Sequence, residues 1–422
     1  MRPVFAAGVL LACCTVPLRA QDNLRSTITQ LFTFGDCGAP LCLELGNEHE
    51  NHFIPAVTAS NQTVIAFITE AIGKSVANTP ISATSSGTTF SLVGGLPVRS
   101  STSMGPIFGE RAQTLGRGRF FVGANVTGLS LTTLNGTQLD NILINFAHQD
   151  VGNPGLGDPE FENDVIQLRM SLDMNITVAS VFATWGILDF VDLGVAVPIV
   201  RTSITGFSQA QVLPFGNSTV HNFGGAPPIL RATSNASGTA TGLGDVVGRL
   251  KINLGQSRTF GAALLTDVRF STGNEKDLLG AGSSSVRALG IASAQFGEFA
   301  PHLNVGYLAR TGDLTNDAFL ATLGFDQLVA PWATFAAELI SEWQIGADKI
   351  SLPRDIHYVA PLDRTIPAIS VPRRRDNVLN AAVGIKFNVR GGTVLVLNGI
   401  VPVRRVGLQP DFIWTVGLEG TL

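Results

Sequence analysis

The stretch DVIQLRMSLDMNITVAS, Asp164 to Ser180, alternates without a break. Ile166, Leu168, Met170, Leu172, Met174, Ile176 and Val178 are apolar, while Gln167, Arg169, Ser171, Asp173, Asn175 and Thr177 between them are polar. A period of two defines a strand with one apolar and one polar face. At about 3.3 Å per residue the run spans roughly 43 Å, whereas most strands of soluble proteins stop after about 5–6 residues. So long a strand, greasy on one side, points to a sheet that faces lipid.

The pattern recurs in GDVVGRLKINL, HLNVGYLAR, NVLNAAVGIKFN and the C-terminal DFIWTVGLEGTL. Strands of about ten residues with alternating faces are the signature of a transmembrane barrel, and a closed barrel satisfies every backbone group in hydrocarbon without a helix. The alternation places strands at 88–98, 119–131, 139–148, 164–182, 190–204, 243–254, 259–271, 285–297, 299–310, 317–328, 332–344, 376–389, 392–403 and 410–421. Connections between them alternate short and long, as between periplasmic turns and extracellular loops. The strand from Arg119 must then run inward, which requires an outward strand before it, and TTFSLVGGLPV is the candidate. The expected fold is all-β: a transmembrane antiparallel β-barrel of about 14 strands, within a range of about 12–16.

Composition agrees. Only 14% of residues are charged, and 46 are glycine, against about 25% charged in a typical soluble chain. No run of about 18 apolar residues exists to form a spanning helix. A net charge of −4 attracts no nucleic acid.

The start, MRPVFAAGVLLACCTVPLRAQDN, reads as a signal peptide over 1–20, cut before Gln21. A competing reading takes LLAC as a lipoprotein signal that acylates Cys13. Residues 21–87 form an N-terminal plug or periplasmic segment, and 88–422 the barrel. Within the former, NQTVIAFITEAIGKSV has helical spacing and is expected to plug the lumen, the alternative being a helix docked at the periplasmic mouth. Cys37 and Cys42 are candidates for a disulfide in an oxidising compartment. With His49 and His52 they also form four potential metal ligands, but the spacing fits no familiar zinc template, and no metal is assigned.

GPIFGERAQTLGRGRFFVG (105–123), GLGDVVGRLK (242–251) and the run from Phe270 to Tyr307 resemble the outer-membrane proteins of the meta-pathway of phenol degradation. That resemblance covers most of the chain from Gly105 and implies an outer-membrane barrel aiding uptake of aromatic or other hydrophobic compounds. A plug with about 14 strands is also similar in architecture to long-chain fatty-acid transporters. The chain departs from the common barrel assembly signal by ending in Leu422, and its six Trp and Tyr residues are few for aromatic girdles, which leaves 25 Phe to serve.

The same alternation assigns Arg169, Asp173, Asp245, Arg249, Lys251, Asp267, Arg269, His302, Glu338, Glu342 and Lys386 to the lumen. Apart from the histidine, positive and negative groups balance. A balanced set pairs off in a partly dry lumen, or lines a polar track along the permeation path. No histidine lies in a recognisable nucleophile motif, GxSxG is absent, and GLGDVVGRLK runs into a strand rather than the helix a phosphate loop needs. An enzyme is therefore not expected, and no cofactor is implied. VPRRRD, Val371–Asp376, is a basic cluster that either contacts lipopolysaccharide or simply ends a solvated loop. The expected partners are outer-membrane lipid and lipopolysaccharide, a small-molecule permeant and the barrel assembly machinery. A structural or surface-binding barrel without transport and an outer-membrane hydrolase are the alternatives.

Overall fold

The computed structural model describes residues 23–34, 43, 71–72, 90–93, 96–99, 103–148, 163–216, 219–312, 315–347, 349, 352–358, 362–390 and 392–422. Residues 1–20, expected to be a signal peptide, Cys37, Cys42, His49, His52 and most of the 61–76 segment lie outside them. Among the described residues no helix is long and apolar enough to cross a membrane.

Twelve strands close into an up-and-down barrel. They are β1 (Phe120–Leu134), β2 (Val165–Leu188), β3 (Val191–Leu213), β4 (Val247–Gln256), β5 (Phe260–Arg269) and β6 (Ser285–Ala294), then β7 (Phe299–Arg310), β8 (Ala318–Ala330), β9 (Ala333–Gln344), β10 (Val378–Arg390), β11 (Thr393–Pro402) and β12 (Leu408–Thr421). Each pairs antiparallel with its sequence neighbours, and β1 closes the ring by pairing with both β2 and β12. The seam is zipped to the end of the chain: Leu422 N donates to Phe120 O at 2.7 Å.

Two expected barrel strands are not in the ring. The 88–98 segment is a separate hairpin, Phe90–Val93 with Leu96–Arg99. Ile142–Ala147 pairs with the first residues of β2, beyond the reach of β1, and bridges to Ile369. Removing both turns 14 strands into 12, still an even number.

β2 and β3 have 24 and 23 residues, far more than the ~25 Å apolar band of an outer membrane can hold. Their polarity shows where they leave it. Between Ala179 and Trp185 the outward residues are apolar, with Val181 63% exposed. Further from the short turn the outward residues of β2 are Thr177, Asn175, Asp173 and Arg169, all exposed, and the apolar ones point inward. No register shift separates the two halves. The inward face is one face throughout; what changes is the medium outside it. On β3 the outward Leu193, Val195, Val197 and Ile199 give way to Arg201 and Thr205. In Arg231–Leu243, which continues β4 along β3 past an irregularity at 244–246, Leu243 gives way to Thr241. Register puts Ala179, Ile199 and Leu243 in one row and Thr177, Arg201 and Thr241 in the next. Three strands thus change from apolar to polar at one level.

Above that level the extensions form a cap with its own core. α1 (Leu24–Gln30), capped by Asn23, packs on its inner face: Leu24, Ile28, Leu31 and Phe32 are at most 2% exposed. Phe32 meets Phe146 edge-on at 6.3 Å, and Ser208 and Ser234 bind the carbonyls of Leu31 and Gln30. Gly206 makes room for the helix, since a Cβ there would lie 2.5 Å from Leu31 Cδ1.

Around the barrel, exposed Phe120, Trp185, Phe260, Phe296 and Trp332 gather at the short-turn end, while Tyr307, Phe319, Trp343 and Trp414 ring the long-loop end. Phe120 stacks on Trp185 at 5.8 Å and Trp332 on Phe387 at 5.9 Å. Phenylalanine supplies most of the short-turn girdle, and Phe319 joins the other.

Candidate functional site: the lumen

The residues from Ser103 to Gly118, which the strand pattern assigns to an external loop, run inside the barrel as a strap near its short-turn end. Side chains of the wall hold its backbone. Thr334 accepts from Met104 N at 2.9 Å. The Glu338 carboxylate accepts from Ile107, Phe108 and Gly109 N at 2.7, 3.1 and 2.8 Å. Asn304 both accepts from Glu110 N and donates to Glu110 O. Ser293 accepts from Ala112 N, Asn253 donates to Ala112 O, and Asp192 accepts from Leu115 N. An extended backbone has unpaired donors, so crossing a barrel requires such partners. Gly109 permits a close approach: a Cβ would meet His302 Nε2 at 2.5 Å.

The predicted lumen residues fall into four groups. Arg169 and Asp173 are not in the lumen; they are exposed on the outer face of the cap, because the apolar face of the 166–178 run covers the cap core rather than meeting lipid. Asp245 is buried beneath the 272–284 loop, where its carboxylate accepts from Gly273 and Ala281 N. Lys251, His302, Glu338 and Lys386 are buried at the strap or below it, with Lys251 on Glu110 at 3.0 Å and Lys386 on Glu419 at 2.8 Å. Arg249, Asp267, Arg269 and Glu342 line an open cavity.

That cavity, of about 360 Å³, lies between the strap and the long loops. Its floor includes Phe108 and Glu110 of the strap. One wall, from β4 to β9, carries Arg249, Asp267, Arg269, Arg287, Arg310 and Glu342; the opposite wall, from β1, β11 and β12, carries Leu129, Leu131, Ile400, Leu408 and Ile413. The charged wall is cross-linked. Glu110 binds Arg249 at 2.7 Å, Asp267 binds both Arg249 and Arg287, and Glu342 binds Arg310 at 2.7 Å.

Glu110, Arg111, Asp326, Arg287, Arg310 and Glu419 were not among the predicted lumen residues. Arg111 ion-pairs with Asp326, both buried. The adjacent charges in GPIFGERAQ were the available signal, since a buried ion pair needs a partner across the barrel.

Asp164 and His221 pair at 2.7 Å, but both are fully buried and serve to tie the 214–230 loop to β2, with Phe215 N on the other carboxylate oxygen at 2.8 Å. Among the described residues no three His, Cys, Asp or Glu side chains gather as metal ligands.

A closed antiparallel barrel, apolar outside between two aromatic rings and polar within, is an integral outer-membrane protein. No family model and no curated protein matches the sequence. Among solved structures it is similar to an outer-membrane channel from Pseudomonas putida F1, at 11% identity and TM-score 0.42, covering 74% of this chain and 98% of that one. It is also similar to the CymD monoaromatic hydrocarbon channel, at 7% identity and TM-score 0.32, covering 72% and 88%. A Pseudomonas aeruginosa FadL homologue matches at 11% identity and TM-score 0.33, covering 72% and 90%.

Proposed function

We propose that this barrel is a channel for passive uptake of small, partly apolar compounds, aromatic ones included, and not an enzyme. The observation that carries the reading is the two-sided cavity, with aliphatic side chains facing a cross-linked row of charges. Pockets that bind small organic molecules have roughly 300–1,000 Å³ and an apolar lining with few polar groups. Ion pairs tie up most of the charge of that wall within the protein, and an aliphatic wall gives a ring or short chain somewhere to rest. The resemblance to the meta-pathway outer-membrane proteins points the same way.

The short-turn end belongs in the periplasm and the cap outside the cell. Arg373 and Arg375, exposed at the long-loop end, would then meet lipopolysaccharide, and the barrel assembly machinery would insert the chain.

The test is initial uptake of a radiolabelled single-ring aromatic by cells with and without the gene. Uptake should fall severalfold without the protein. Equal rates would leave a structural barrel as the better reading.

A further inference from the structure

On the charged wall the carboxylates run out before the cations do. Glu110 is shared by Arg249 and Lys251, Asp267 by Arg249 and Arg287, and Glu342 holds Arg310. Those three carboxylates hold four cations. A fifth, Arg269, also lines the cavity, and its side chain makes no hydrogen bond and no ion pair among the described residues. The charged groups that act on it electrostatically are Asp245, Arg287, Asp267 and Arg310. Asp245 is occupied by Gly273 and Ala281 N, and Asp267 by two arginines.

The strand register shapes the surroundings of this group. Arg269 pairs with Ser285, and Ser285 with Arg310, so two arginines flank a serine in one row. Across two strand spacings, roughly 9–10 Å, the small hydroxyl leaves a gap between two guanidinium-bearing stems. A planar carboxylate set in such a gap accepts from Arg269 and Ser285 while facing the positive field of Arg310. Ile413 and Leu129 stand on the opposite wall, where the apolar remainder of the same molecule would lie.

We propose that the permeant carries one carboxylate, and that Arg269, with Ser285 and Arg310, binds it while the aliphatic wall holds its apolar body. This rests on the channel reading and names its substrate class as compact amphipathic acids. Arg310, already bound to Glu342 and to Asn316 O, contributes its field; Arg269 contributes the direct contact.

Naphthoate and its uncharged amide are suitable probes, read by fluorescence anisotropy on the full protein in detergent at neutral pH. The wild type should bind the acid about tenfold more tightly than the amide, the scale of one added charge-assisted hydrogen bond. Arg269→Gln should abolish the preference and Arg269→Lys retain part of it. Ser285→Phe, which fills the gap and removes no charge, should also abolish it, while the slower gel mobility on boiling verifies that each variant is folded. A wild-type preference near unity, or one surviving intact in both Arg269→Gln and Ser285→Phe, overturns the proposal. Cellular uptake of the amide separates the two ideas. If the amide enters through the protein but the acid is not preferred, the channel stands and the carboxylate site falls; if neither compound depends on the protein, both fall.

Discussion

Lys386 and Glu419 show what a single buried charge does here. Both are almost fully buried, 2.8 Å apart, on β10 and β12 with β11 between them. Removing one partner strands the other in a dry interior, which costs about 3–5 kcal/mol, whereas replacing both by apolar groups of similar size is close to neutral. Lys386→Met should therefore destabilise the barrel in urea titrations by about 3–5 kcal/mol, and Lys386→Met with Glu419→Leu should recover most of the loss. Glu338 acts differently, because its partners are three backbone N–H groups of the strap rather than a cation. Glu338→Ala leaves those donors without an acceptor, each worth about 1–3 kcal/mol when buried. The strap should loosen locally, and single-channel conductance in planar bilayers should rise. Unchanged conductance would mean that the other anchors, Asn304 and Ser293 among them, hold the strap unaided.

The elements follow one rule that the residues alone leave ambiguous. Alternation tells that 166–178 is a strand with an apolar face; it does not tell whether lipid or a protein core covers that face. Even-numbered positions carry the apolar residues above Val178, and odd-numbered ones such as Val181 and Trp185 below it, so the switch stands in the sequence on either side of Ser180. Taking the first half for the whole reversed Arg169, Asp173 and Leu172, the last of which packs inward in the cap. Strands elsewhere obey the barrel pattern, so Arg249, Asp267 and Glu342 were legible as interior. The strap was not, because an extended segment held by wall side chains has no period of its own. Arginine substitution tests the membrane level on a single face of β3. Val195→Arg puts a guanidinium in mid-band and should cost about 2–4 kcal/mol, while Thr205→Arg, ten residues further out on the same face, should cost less than about 0.5 kcal/mol. Similar losses at the two sites would remove the level drawn between Ile199 and Arg201.

At the scale of the molecule, two cores of different origin share one sheet. The membrane part is stabilised by a closed ladder and by lipid outside; the cap is stabilised as a soluble domain is, by burying Ile166, Met170, Ile204 and Phe223 beneath a short helix from the start of the chain. They should therefore fail separately. Ile28 is wholly buried on α1, and Ile28→Asp forces an unpaired carboxylate into the cap core, which an α1 of 7 residues cannot withstand by its own propensity. The helix should leave the inner face of the cap and expose Gly206 and Gly238, the two positions that accommodate it. Protease added to intact cells should then cut between β3 and β4 severalfold faster than in the wild type. The barrel below keeps its twelve-strand ring, so boiled and unboiled samples of the uncut variant should still migrate differently. Cleavage only after the cells are opened would place the cap on the periplasmic side and reverse the orientation. Loss of the boiling shift together with protection would mean that cap and barrel fold as one unit, with α1 contributing to closure of the ring itself.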